Sequence, residues 1–157
     1  MSYVKYKDLG DKGDTKNNGD PVSGGKSKNS ENGGSGNVSN NGNNDDVHSY
    51  VFEITSSEDR IKAINRHKIC VIDVWGDWCQ PCKMITRPYA ILAKKYYRPD
   101  LCLLAKQETK VEYLSGGAED VKGVPTFQFF KHGKYIGSIV GADVPAVEKK
   151  LLELLSN

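Results

Sequence analysis

The chain has 157 residues, 38% of them hydrophobic and 27% charged, with a formal net charge of +2. That length suits one compact domain, and neither part of the chain carries a nucleic-acid footprint: residues 1–47 hold six Lys against seven acids, and residues 48–157 hold sixteen Lys and Arg against thirteen. No apolar run approaches a membrane span, and the first residues lack the apolar stretch of a secretory leader. The expectation is a cytoplasmic chain with no membrane and no nucleic-acid partner, whose thiols stay mostly reduced.

Residues 1–47 contain nine Gly, nine Asn and eight hydrophobic residues. Such a segment buries too little apolar surface to offset the entropy of ordering it, so it is read as a disordered extension. The Asn and Lys richness also fits an AT-rich genome; if that genome were viral, a virion would be the alternative location. Residues 48–157 hold both Trp, all four Phe, all the Ile and all four Cys, and are read as the folded domain.

Within it, "YVFEI" (50–54) alternates and is rich in aromatic and β-branched residues, as a strand is. "TSSEDRIKAINRH" follows as a helix capped by Ser56 or Ser57, with Ile61 and Ile64 on its buried face. "ICVIDVW" (69–75) is a continuous apolar run broken only by Asp73, the pattern of a strand buried on both sides. A helix then runs to about Tyr97, with Met84, Ile85, Leu92, Ala93 and Tyr96 as its apolar positions and Pro88 interrupting it. "LCLLAK" (101–106) is another buried strand, and residues 109–123 form a short helix or an irregular connection. "PTFQFFKHGKYIGSIVG" is a hairpin turning at Gly133. "PAVEKKLLELL" (145–155) opens with Pro at a helix start and places Val147, Leu151 and Leu154 or Leu155 on one face. The first half alternates as βαβ units do and the last two strands pair antiparallel, so the fold class is α/β: a central mixed sheet with helices on both faces.

Between the second strand and the second helix lies Cys79-Gln80-Pro81-Cys82. Cys-x-x-Cys serves metal binding, structural disulfides and redox chemistry alike. Zinc requires about four ligands, and Cys70, Cys102, His48, His67 and His132 are isolated. A Cys-x-x-Cys beside a βαβ pattern points instead to a redox pair. With Cys79 at the helix start, Pro81 in the first turn and Cys82 one turn on, the two sulfurs share a face. The helix terminus favours an anion, which lowers the pKa of Cys79 and leaves Cys82 shielded. Cys70 and Cys102, read by strand alternation, point to opposite faces and are simplest as small buried hydrophobes.

"DVWGDWCQPCKMI" resembles the active-site segment of thioredoxins, usually Trp-Cys-Gly-Pro-Cys-Lys, and "GVPTFQFFKHGKYIGSIVGA" (123–142) resembles that family's cis-proline, hairpin and final glycine. The resemblance covers residues 48–155 and implies the thioredoxin fold. It also implies that Cys79 is the nucleophile and Cys82 the resolving thiol, joined as a redox-active disulfide in the oxidised state. Asp73 then matches the buried acid beneath them, Lys106 its partner on the neighbouring strand, and Pro125 the cis-proline. Trp78, Val124, Gly141 and Ala142 match the groove that receives a target chain. Each has a plainer reading: Asp73 as a structural acid, Pro125 as a turn proline, Trp78 as core packing. Gln80 in place of glycine bears on the reduction potential, Asp77 adds a negative charge beside the motif, and Pro88 stands one residue later than the family's helix proline.

The implied activity is thiol-disulfide oxidoreduction without metal or bound cofactor, reducing protein disulfides. The implied partners are disulfide-containing targets and a thioredoxin-reductase-type flavoenzyme, with the chain acting as a monomer. The alternatives are a disulfide oxidase or isomerase of the same fold, or a non-enzymatic binding module.

Overall fold

The computed structural model describes residues 46–110 and 121–157. The expected extension, apart from its last two residues, and most of the 109–123 connection lie outside the described residues.

A 3-10 turn, Val47–Tyr50, is capped by the Asp46 side chain, which accepts the His48 N–H at 3.2 Å. It leads into β1, Val51–Ile54. In α1, Ser57–Arg66, Ser56 is the cap, accepting the Asp59 N–H, and Glu58 and Asp59 complement the positive end of the helix. β2 is Ile69–Trp75, α2 Gln80–Tyr96 and β3 Cys102–Glu108. β4, Thr126–Lys131, turns through His132 (φ 50°) and Gly133 (φ 78°) into β5, Lys134–Val140. Two consecutive positive φ values give the hairpin the twist that its strands need. α3, Val144–Ser156, starts on Asp143, whose carboxylate accepts the Ala146 N–H at 2.9 Å.

The strands form one mixed sheet in the order β1-β3-β2-β4-β5, with β4 antiparallel to β2 and to β5. Pairing of β2 with β3 sets Asp73 opposite Lys106 and Cys70 opposite Leu103. Because side chains alternate, Asp73 and Lys106 share one face while Cys70 lies on the other. α2 and α3 cover the Asp73 face: the Tyr89 hydroxyl lies 3.1 Å from the Val71 carbonyl oxygen and 3.0 Å from that of Ala105, and Glu148 of α3 accepts from Lys95 and from Tyr96 of α2, each at 2.7 Å. α1 covers the opposite face. Cys70 and Cys102 are buried and free. No helix among the described residues is long and apolar enough to cross a membrane.

Two helix faces differ from the sequence reading. In α1, Ile61 is 57% exposed, and Arg60, Ala63 and Ile64 are buried instead. The Arg60 guanidinium donates to Gln107 Oε1 at 2.5 Å and Gln128 Oε1 at 2.8 Å, and lies 5.5 Å from the centre of the Phe130 ring. A buried charge is tolerable only when hydrogen-bonded, and acceptors from two neighbouring strands supply those bonds. In α2, Met84 is 72% exposed, while Tyr89 and Ala90 join Ile85, Leu92 and Ala93 in the core. Pro88 sits inside α2 without ending it; it is exposed, and its cost is the missing N–H toward the Met84 carbonyl.

Candidate functional site

β2 delivers the chain to the site. After Trp75 it turns at Gly76, whose carbonyl accepts the Cys79 N–H at 3.0 Å. A side chain at Gly76 would place its Cβ 2.9 Å from Trp78 Nε1, so glycine is what lets the indole approach the backbone there. Cys79 is the N-cap of α2, with Pro81 in the first turn and no acid there. The Cys82 N–H points at Cys79 Sγ, 3.2 Å away. A polar donor aimed at sulfur at a helix N-terminus stabilises a thiolate when the pair is reduced. In the structure Cys79 and Cys82 are joined as a disulfide, with Cα atoms 5.3 Å apart.

The hairpin side closes over the disulfide. The Val124–Pro125 peptide bond is cis, and Cys79 Sγ lies 3.6 Å from the Val124 carbonyl oxygen. The Pro125 carbonyl accepts the Gly141 N–H at 2.8 Å, and Gly141 has φ 106°, a conformation that favours glycine. The Thr126 hydroxyl donates to the Gly123 carbonyl at 2.5 Å. Val124 is half-buried, Pro125 buried and Ala142 exposed, while Trp78 is 72% exposed, so core packing is excluded for the indole. Whole-residue exposure does not separate the two cysteines, each at 3%. Their neighbours do: Cys79 meets the Val124 carbonyl, and Cys82 lines a cavity with Asp73.

That cavity, of about 120 Å³, is walled by Asp73, Cys82, Thr86, Tyr89, Lys106 and His48 among others. Asp73 is 5% exposed, and its Oδ1 has no hydrogen-bond partner. Burial pushes its pKa up from 3.8 to about 7, against a smaller opposing pull from Lys106. The sequence reading makes Lys106 the partner of Asp73. The two are neighbours in register, but the Lys106 ammonium forms its ion pair with Glu53 at 3.4 Å and lies 5.8 Å from the centre of the Trp75 ring. Asp73 therefore feels the charge of Lys106 without being capped by it.

Two features escape sequence reasoning. Asp77 is paired with Lys110 at 2.5 Å, and Lys110 also reaches Glu108 at 3.2 Å. The hydrogen bond from Lys110 holds the Asp77 carboxyl below the usual range, and the charge beside the motif is compensated. The pairing follows from the Thr109 N–H binding the Trp75 carbonyl at 2.9 Å, a contact between segments more than thirty residues apart. The second is His48, which precedes the first strand with no motif around it. Among the described residues no group of three or more His, Cys, Asp and Glu side chains is arranged to hold a metal ion.

The family model described as Thioredoxin matches residues 51–154. Thioredoxin-like protein 1 of Schizosaccharomyces pombe is 34% identical over 101 residues, which is 64% of this chain and 34% of that protein, so the chain spans about a third of that relative's length. Thioredoxin H9 of Arabidopsis thaliana is 31% identical over 126 residues, covering 74% of this chain and 88% of the relative. Among solved structures, mitochondrial thioredoxin 3 from Saccharomyces cerevisiae superposes with a TM-score of 0.59 at 28% identity, covering 68% of this chain and 98% of that one. With a helix-capping Cys79–Cys82 disulfide set against a cis-proline on this sheet, the chain belongs to the thioredoxin family of thiol-disulfide oxidoreductases.

Proposed function

We propose that the protein reduces disulfides of other proteins, with Cys79 as nucleophile, Cys82 as resolving thiol and Asp73 as the base that serves Cys82. The observation that carries this reading is the double placement of Cys82. Its N–H faces Cys79 Sγ at 3.2 Å, and its side chain shares a cavity with a carboxyl whose pKa lies near 7.

The Cys79 thiolate attacks one sulfur of the target disulfide. A Cys79–target bond forms and the target's S–S bond breaks, its electron pair leaving on the other target sulfur, which takes up a proton. Asp73 then accepts the Cys82 proton, directly or through cavity water. The Cys82 thiolate attacks Cys79 Sγ, closing the intramolecular disulfide and expelling the second target thiolate. Two electrons have moved from the Cys79–Cys82 pair to the target. Val124, with its carbonyl beside the disulfide, offers backbone to an extended target segment in the manner of an added strand. Exposed Trp78 and Ala142, with Pro125 and Gly141, form the rim around it.

In this reading a flavoenzyme of the thioredoxin-reductase type returns the electrons, and the chain works as a monomer in a reducing compartment such as the cytoplasm. Insulin reduction in the presence of a dithiol tests the reading. The wild type accelerates precipitation of the insulin B chain and Cys79→Ser does not; equal rates would remove the proposed nucleophile. A measured reduction potential in the range of thioredoxin rather than of disulfide isomerase, −270 against about −180 mV, supports the reducing direction.

A further inference from the structure

The cavity holding Asp73 and Cys82 opens past a second titratable side chain. His48, Val51 and Lys106 line both this cavity and the surface groove beside it, so these three residues form a threshold between the two. The volume of about 120 Å³ has room for several waters at ~30 Å³ each, and the unpartnered Asp73 Oδ1 faces no protein donor.

His48 is held at that threshold by a turn fixed at both ends. At its start the Asp46 carboxylate accepts the His48 N–H, and the Asp46 carbonyl accepts both the N–H and the hydroxyl of Ser49, at 3.0 and 2.7 Å. At its end Tyr50 is buried edge-on against Tyr97, ring centres 6.1 Å apart, and the Val51 N–H binds the His48 carbonyl. The charged groups around it are Asp46 on its own turn, Glu53 on β1, Lys106 on β3, Lys83 on α2 and Asp73 on β2. Of the side chains at this position only an imidazole offers both a ring N–H donor and a ring nitrogen acceptor, so it can take a proton on one side and release one on the other.

We propose that His48 is the relay through which Asp73 exchanges its proton with solvent. The inference rests on the reading of Asp73 as the base for Cys82. Asp73 gains one proton from Cys82 as the intramolecular disulfide closes. Above the pH at which Asp73 ionises in the oxidised protein, that proton must leave in every cycle and return in every re-reduction. It passes through cavity water to a ring nitrogen of His48, and the other ring nitrogen releases a proton to solvent. On re-reduction the same steps run backwards. No electrons move in the relay. His48 is thus a positioning and proton-transfer residue that acts through Asp73 and touches neither sulfur.

The test is insulin reduction by the full chain in weak buffer, comparing wild type, His48→Phe and His48→Ala at pH 6 and pH 8. At pH 8 both variants turn over slower by about tenfold, less than the roughly 10²–10⁴-fold of a direct general acid or base, because the relay acts through Asp73. Added imidazole restores them and leaves the wild type unchanged. At pH 6, below the value of about 7 to which burial raises Asp73, the proton taken from Cys82 stays on Asp73 until re-reduction returns it, no exchange with solvent is needed, and variants and wild type match. Variants that keep the wild-type rate at pH 8 overturn the relay, as do variants that are slow at both pH values and ignore imidazole. Asp73→Asn running at full rate at pH 8 also overturns it, while leaving the Cys79–Cys82 chemistry intact. A wild type no faster than Cys79→Ser instead removes the function on which the relay rests.

Discussion

Replacing Asp73 with Asn removes a buried charge and keeps its shape, and the structure sets the size and sign of the effect. The carboxyl is 5% exposed, and its pKa rises from 3.8 to about 7 because burial penalises the charged form more than Lys106 stabilises it. The folded protein therefore binds more protons than the unfolded chain between those two values, so stability falls as pH rises across that window. A shift of about three units at 1.36 kcal/mol each amounts to about 4 kcal/mol once Asp73 is fully ionised. Asn cannot ionise. Asp73→Asn should match the wild type near pH 4 and exceed it by up to about 4 kcal/mol at pH 8. With about 4–8 °C per kcal/mol for a domain of this size, the melting temperature at pH 8 rises by more than about 10 °C. Melting the oxidised proteins by circular dichroism from pH 4 to pH 8.5 reads this directly. A gap between variant and wild type that stays constant with pH, or a variant less stable at pH 8, would refute the claim that Asp73 is buried and forced to ionise. The same substitution should slow insulin reduction at pH 8, so stability and activity move in opposite directions.

His67 is buried with Nδ1 unpartnered, and burial and the neighbouring Arg66 hold its pKa below 6.5. The unfolded chain takes up that proton more readily, so stability should be lost as pH falls through 6.5, and His67→Gln should flatten that part of the stability profile measured by urea titration. Lys110→Ala leaves Asp77 uncompensated beside the motif; thiolate formation at Cys79 then shifts to higher pH, visible as slower alkylation at a fixed pH near 7, while an unchanged rate would mean that solvent already screens Asp77. Gly133→Ala puts a Cβ 2.7 Å from Asn65 Oδ1 at φ 78°; it should cost about 1 kcal/mol or more, and Asn65→Ala should recover only the part due to the clash.

The sequence carried the elements whose signals are local. Asp73 alone interrupting "ICVIDVW", the cap-and-proline pattern around Cys79 and the His-Gly turn each state their structure within a few residues, and all three stand as read. The separation of Cys70 and Cys102 also followed, because strand alternation needs only a register. Helix faces were less legible. A periodicity argument prefers Ile61 over Arg60, yet Arg60 is buried because Gln107 and Gln128, 47 and 68 residues away, meet its guanidinium. Met84 likewise loses its place in the core to Tyr89, whose hydroxyl finds two strand carbonyls. Register does set Lys106 beside Asp73, and its charge reaches the carboxyl, but the ion pair of its ammonium with Glu53 on β1 is not legible in the sequence. His48 and Lys110 gave no local sign at all, since their roles depend on what the fold sets beside them.

The measurement closest to the central claim is the alkylation rate of each thiol in the fully reduced protein as a function of pH, resolved by peptide mass. The account predicts that Cys79, capping α2 with the Cys82 N–H aimed at its sulfur, reacts with an apparent pKa well below the ~8.5 of a free cysteine, and that Cys82 reacts more slowly with a higher one coupled to Asp73. Two thiols titrating alike, each as free cysteine does, would contradict it.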